Sequence, residues 1–312
     1  MSFAFSSLPI ELNTFFRSVA FACFLQAFFV YISFFSESYR IFLSGILVET
    51  SNIPITYSKR VPGFSNSSGS LLSLLLSFGV FFFMCLFVNN SSRHYKLVFF
   101  TCAVFVATSC LFVGKLGLFL SAYFIFATLF FQSKYFRYVI FLVALFSVPA
   151  SLAYYIYNSP SSVIESNAVS LEGFEYALNR SFSIFSSEGD STIKALLKMP
   201  IPNLDINTTL GHGYFIDASG RNVTGSDVGY VQSYYSLGLI FSLIFYVSLF
   251  CYLFYKILGV QNLTLRNMAF VFFFPLFVVE LKEPFITKLG YVFLLLTYLF
   301  LCDKDKNSVE NI

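Results

Sequence analysis

Long apolar runs, each free or nearly free of charge, follow one another along most of this chain. The run 70–88 holds no acidic or basic side chain, nor does 116–132, and 15–35 holds Arg17 alone. About 20 apolar residues in a helix cross the hydrocarbon core of a bilayer, and a helix pairs its own N–H and C=O groups there. Eight such segments can be read: 15–35, 70–88, 96–113, 116–132, 138–157, 232–255, 267–281 and 286–302. The expected fold is all-α, a polytopic integral membrane protein of about eight transmembrane helices forming one membrane domain over 1–312. Composition agrees, since hydrophobic residues make up 57% and charged residues 11% of the chain, where a soluble domain carries roughly a quarter charged residues.

An even number of spans puts both termini on one side. The short connections on that side carry Arg17, Arg93, Lys96, Lys134, Arg137, Lys256, Arg266, Lys304 and Lys306, against Glu11, Asp303, Asp305 and Glu310. By the positive-inside rule that side is cytoplasmic. The remaining long polar stretch, 158–231, is then an extracytoplasmic loop. Polar loops of this length inside a compact chain carry function or are disordered.

The six cysteines all lie in apolar segments, with no CxxC pair and no Cys/His cluster, so they read as small side chains packed among apolar neighbours. No metal site or cofactor is indicated. A net charge of +3 from scattered basic residues gives no nucleic-acid footprint. Nucleotide-binding loops, GxGxxG, HExxH and GxSxG are all absent from the sequence.

Ionisable groups gather instead at the predicted outer ends of helices. Arg60 begins Arg-Val-Pro-Gly-Phe-Ser-Asn-Ser-Ser-Gly, a turn-forming stretch leading into the run from Leu71. Its guanidinium suits phosphate oxygens, or it snorkels to lipid headgroups, and Asn66 or a nearby serine is placed to cap the next helix. Lys115, in Gly-Lys-Leu-Gly, is either the tip of a hairpin or a charge facing a polar cavity. Arg180 lies beside apolar residues at 174, 178, 182 and 185, the spacing of an amphipathic helix. A second helical stretch runs from Ser191 to Met199. The loop closes with Leu210-Gly211-His212-Gly213 and Asp227-Val228-Gly229-Tyr230. His212 brings an imidazole, a side chain of the type that serves as acid or base, and Asp227 reads as the cap of the following helix, as a general base at the membrane interface, or as both. Glu280, Lys282, Glu283 and Lys288 form a charged cluster that reads as structural pairing.

The ordered set of Arg60 with Gly63, Asn66 and Gly69, then Gly114-Lys115, Arg180, Leu210-Gly211-His212-Gly213 and Asp227-Val228-Gly229-Tyr230 with Gly238-Leu239-Ile240 resembles the bacterial O-antigen and capsular polysaccharide polymerases, relatives of the O-antigen ligases. The resemblance covers roughly residues 55–256. It implies a metal-independent glycosyltransferase of the bacterial inner membrane, working on its outer face. Glycan would pass from an undecaprenyl-diphosphate-linked donor to a sugar hydroxyl of a lipid-linked repeat unit. Arg60, Arg180 and Lys115 would hold the diphosphate, with Asp227 and His212 in catalytic roles. A chain-length regulator and a flippase are the partners such an enzyme implies.

Two departures stand out. The family commonly has more spans before the Arg60 loop, and the Lys115 step lacks the Ser-Arg often found there. The alternatives are an O-antigen ligase, against which Asp227 stands where the ligases present a His followed by Asn, and a lipid-linked oligosaccharide flippase or other transporter. Internal repeats and charges buried mid-helix would favour the transporter.

Overall fold

A computed structural model describes residues 11–46, 61, 63–64, 69–131, 198–217, 222–286 and 290–310, without the side chains beyond 303. The chain divides into two compact units, Met1–Ser183 and Ile184–Ile312. The described elements are helical: α1 (Leu12–Phe35), α2 (Glu37–Ile46), α3 (Ser70–Asn89), α4 (Arg93–Val113) and α5 (Lys115–Phe131) in the first unit, and α6 (Ile206–Leu210), α7 (Gly229–Leu258), α8 (Leu263–Val279) and α9 (Gly290–Glu310) in the second. An isolated bridge, Ile216 with Asn222, is the extended pairing among the described residues.

Helices α1, α3, α4 and α7 are long and apolar enough to cross a bilayer, while α5, α8 and the Gly290–Asp303 part of α9 are apolar but shorter. This all-helical architecture is that of a membrane protein. Seven of the eight expected segments fall on described helices. The segment 138–157, the amphipathic stretch around Arg180, and Arg60, Asn66 and Lys288 lie outside the described residues, as does Ser191–Met199 except for the turn at 198–199. Helix α2 had no signal as a span, because it is short and carries Glu37 and Arg40.

In the first unit α3 is the central helix, buried along nearly its whole length among α1, α4 and α5. Phenylalanine supplies most of the contact. Phe82 meets Phe16 at 5.7 Å, Phe87 meets Phe100 at 5.8 Å, and Phe81 meets Phe124 at 5.3 Å. These pairings make α3 antiparallel to α1 and α4 and parallel to α5. The Tyr31 hydroxyl ties α1 to α4, within 2.6 Å of Thr108 Oγ1 and donating to the Phe105 carbonyl at 3.2 Å.

Helices α4 and α5 are separated by one extended residue, Gly114. Ser73 of α3 holds this turn, its Oγ donating to the Ser70 carbonyl and accepting from the Gly117 amide at 3.2 Å. Gly117 is pressed onto α3 so closely that an added Cβ would lie 2.0 Å from the Ser73 carbonyl oxygen. Backbone cannot yield as a side-chain tip can, so Gly117→Ala should destabilise the unit by about 3 kcal/mol, the upper end of the usual cost of overpacking. Thermal unfolding in detergent measures it. A loss within about 0.5 kcal/mol, the range of neutral surface changes, would mean that the two helices are not in contact here.

In the second unit α7, α8 and α9 run antiparallel in succession. Phe250 packs on Phe273 and Phe277, and Phe254 packs on Phe270. The hydroxyls of Tyr291 and Tyr298 donate to the carbonyls of Phe272 and Leu265. The Tyr291 bond falls in the turn where Pro275 lacks an amide to give to the helix. Asn262 caps α8, its side-chain oxygen accepting from the amides of Thr264 and Leu265. At the same end Lys256 of α7 pairs with Asp303 of α9 at 3.9 Å.

Candidate functional site

Helix α7 is not continuous. Gly238 interrupts it with φ 83° and ψ 163°, a conformation that glycine alone adopts without strain. The break deprives carbonyls of the preceding turn of their usual amides. Two are satisfied from outside the helix: His212 N–H donates to the Tyr235 carbonyl at 3.0 Å and Gly213 N–H to the Ser236 carbonyl at 2.9 Å. Leu210-Gly211-His212-Gly213 is therefore the strap that stitches the broken helix. Contact is backbone on backbone, since an added Cβ at Gly211 would lie 2.4 Å from the Leu237 carbonyl carbon, and one at Gly238 would lie 2.4 Å from that of Leu210.

The His212 ring stacks on Tyr235, centroids 4.0 Å apart and planes within 4°. Its Nδ1 is 3.2 Å from the Tyr235 carbonyl oxygen. A carbonyl only accepts, so the neutral ring carries its proton on Nδ1, and Nε2 keeps the lone pair that can take a proton. Sequence showed no acid beside His212, but the fold brings Asp205 within its electrostatic reach. Asp205 is held below the usual carboxylate range, first by the Thr208 amide, then by the Thr208 hydroxyl and other neighbours including His212. Asp205 and Thr208 form a reciprocal capping box on α6.

Asp227 is set at the other end of the first segment of α7 by a dense local network. Asn222 Oδ1 accepts from the amide and hydroxyl of Thr224, and its Nδ2 donates to the Ser226 carbonyl at 2.6 Å. Gln232 donates to the same carbonyl at 2.9 Å. The Asp227 amide points to the Met199 sulfur at 3.3 Å. Held in this way, Asp227 is exposed, and it does not cap the helix. The residue at the cap is Val228, with no side-chain bond. Of the two sequence readings, capping is excluded and an accessible carboxylate remains. From Gly229 to Tyr235 the helix rises about 9 Å, so Asp227 and His212 flank one helical segment and are not hydrogen-bonded as a pair.

Glu280, read from sequence as part of a charged cluster in structural pairing, is fully buried at the end of α8. Its Oε1 accepts from the Tyr246 hydroxyl and its Oε2 from the Ile286 amide, both at 2.8 Å. Tyr246 in turn lies 2.8 Å from Ser233 Oγ. The Glu280 carbonyl accepts from the Gly229 amide at 2.9 Å, and the absence of a side chain at Gly229 is what lets the carboxylate approach. The residue two positions after Asp227 is thus fastened to α8 on one side. Tyr230 fastens it again by donating to the Phe277 carbonyl.

In the first unit Lys115 is half-buried as the first residue of α5, at the tip of the one-residue hairpin. The same end collects Val61, whose amide donates to the Phe112 carbonyl at 3.3 Å, and Gly69, which stands at the start of α3 in place of an asparagine or serine cap. Arg40, which sequence reasoning passed over, is buried at this end and donates to the carbonyls of Ser33 and Phe34, closing α1. Lys115 and the segment following Arg60 therefore share one end of this unit.

No family model, no curated protein and no solved structure matches this chain. Its function has to be argued from its own residues. Among the described residues no group of three or more His, Cys, Asp and Glu side chains gathers to hold a metal. Of the cysteines, Cys85, Cys110 and Cys302 are buried as expected, whereas Cys251 is exposed on α7.

Proposed function

We propose that this protein is a membrane polysaccharide polymerase of the type its motifs resemble. Glycan on an undecaprenyl diphosphate is transferred to a sugar hydroxyl of a second lipid-linked repeat unit, and the diphosphate carrier departs. The observation that carries the reading is the exposed Asp227 carboxylate, held by the Asn222–Thr224–Ser226 network at the entry to a membrane-crossing helix. Asp227 takes the proton of the attacking hydroxyl as the glycosidic bond forms. Arg60, Arg180 and Lys115 are the cations that the resemblance assigns to the departing diphosphate. His212, with Nε2 as acceptor, orients a sugar hydroxyl. The site then faces the outer surface of a bacterial inner membrane, with both termini cytoplasmic.

The broken helix speaks for a transporter, since transporters interrupt helices at the bilayer midplane around their substrates. Its position speaks against that reading. The apolar stretch from Leu239 to Tyr255, ending before Lys256, rises about 26 Å at 1.5 Å per residue, most of a hydrocarbon core of about 30 Å. The break then lies near one end of the span and away from its midplane.

Deletion of the gene, followed by electrophoresis of the surface polysaccharide, tests the proposal. The expected result is loss of the ladder with a single repeat unit still attached to its anchor. Complementation with Asp227→Ala should leave the ladder absent although the protein inserts normally. Loss of all glycan on deletion would instead place the protein at export or ligation.

A further inference from the structure

The segment 201–216 exposes much apolar surface for a loop in water. Ile206 is 78% exposed, Ile201 71%, and Leu204, Leu210, Phe215 and Ile216 between 41% and 69%. Its polar side chains are mixed: Asn203, Asp205 and Asn207 are exposed beside them, while Thr208 is turned inward and spends its hydroxyl on the Asn203 carbonyl and the Asp205 cap. Water leaves a contiguous set of apolar side chains uncovered at a cost, which marks a surface that something else covers.

The height of this segment relative to the bilayer follows from the helix to which it is tied. Leu210 and Gly211 lie against Gly238, and the amides of His212 and Gly213 bond the carbonyls of Tyr235 and Ser236. Immediately beyond Gly238, the exposed residues Leu239, Ile240 and Phe241 begin the stretch that spans the hydrocarbon core. The outward apolar face of 201–216 is thus continuous with the start of the lipid-facing surface of α7, at the depth where acyl chains give way to headgroups.

We propose that residues 201–216 insert their apolar face into the bilayer surface at the Gly238 end of α7, and that the occupant of this face is lipid. Such a segment lies in the interface with its apolar residues in the acyl boundary and its polar ones, here Asn203, Asp205 and Asn207, among the headgroups. It holds His212 at headgroup depth. The inference rests on the membrane-crossing reading of α7 and not on the proposed transferase activity.

The chain contains no tryptophan, so a single introduced tryptophan reports its own surroundings. Ile206→Trp and, as a reference in the span, Leu243→Trp would be purified and reconstituted in vesicles of phosphatidylcholine brominated near the headgroup or deep in the acyl chain. The expected result is blue-shifted emission from Ile206→Trp that loses more intensity to the shallow bromines than to the deep ones, as for an interfacial segment, while Leu243→Trp is quenched more by the deep ones. Iodide in the aqueous phase should quench Ile206→Trp weakly. Water-like emission from Ile206→Trp, quenched by iodide and by neither lipid while Leu243→Trp behaves as stated, would overturn the proposal. Protection from both iodide and bromine would overturn it too, since the face would then be covered by protein.

Discussion

Gly238→Ala should cost the second unit at least about 3 kcal/mol, because two separate penalties fall on one methyl group. The first is conformational: alanine at φ 83° bears the cost of a sparsely populated backbone region, of order 1–3 kcal/mol. The second is steric. The new Cβ would stand within 2.4–2.5 Å of the Leu210 carbonyl carbon, the Gly211 nitrogen and the Thr209 carbonyl oxygen, all backbone atoms. Relief requires the 209–213 strap to lift from α7, which frees the Tyr235 and Ser236 carbonyls. Thermal unfolding in detergent should show the loss, and limited proteolysis should cut within 201–216 faster than in the parent. Gly211→Ala meets the same helix from the other side and should cost a similar amount. The two together should cost little more than either, since the strap is already displaced. Parent-like stability in Gly238→Ala would show that the helix is straight and the strap undocked.

Glu280→Ala is expected to have the next largest effect. The substitution leaves the Ile286 amide without its acceptor and takes one of two partners from the half-buried Tyr246 hydroxyl, which keeps Ser233 Oγ at 2.8 Å. An unpaired buried donor costs about 1–3 kcal/mol, and the Ile286 amide sets that scale here. Tyr246→Phe removes one of the two bonds and should cost less. Glu280→Gln keeps an acceptor for Tyr246 but turns an amide donor toward the Ile286 N–H, so it should fall between the other two. The order Ala, Gln, Phe in decreasing loss, measured by detergent unfolding, is the signature of a carboxylate held by two donors. Equal small losses for all three would mean that Glu280 faces solvent. The Gly229 amide keeps its bond to the backbone carbonyl of residue 280, and the Asn222–Thr224–Ser226 network still holds Asp227, so the loss should fall on stability and leave Asp227 in place.

The helices were the legible part of the chain. Runs such as 70–88 and 96–113 have no charge to place in lipid and no other way to satisfy their backbones, so composition and length locate α3 and α4 within a few residues. The break at Gly238 was not legible, because an isolated glycine in an apolar run is tolerated in a helix, and what opens it is a strap more than twenty residues earlier. Glu280 was legible only as a member of a charged cluster at a helix end. Its burial rests on the bare surface of Gly229 and the reach of Tyr246, neither of which sequence shows. Asp227 was half legible. Its place before a helix was visible, but its exposure depends on Asn222 and Thr224, whose side chains spend themselves on the loop and leave the carboxylate outside. His212 drew attention as a lone titratable group, while its stacking on Tyr235 is a tertiary fact.

The reciprocal contact between Gly211 and Gly238 bears on how this sequence can drift. Each glycine is barred from substitution by the other's backbone and by its own positive φ, and shrinking a side chain on one side cannot make room on the other. No pair of changes compensates. In a collection of descendants that keep the strap, the two positions should therefore be invariant and statistically independent of each other. A contact this intimate would leave no trace of covariation, and methods that infer proximity from correlated substitution would pass over it.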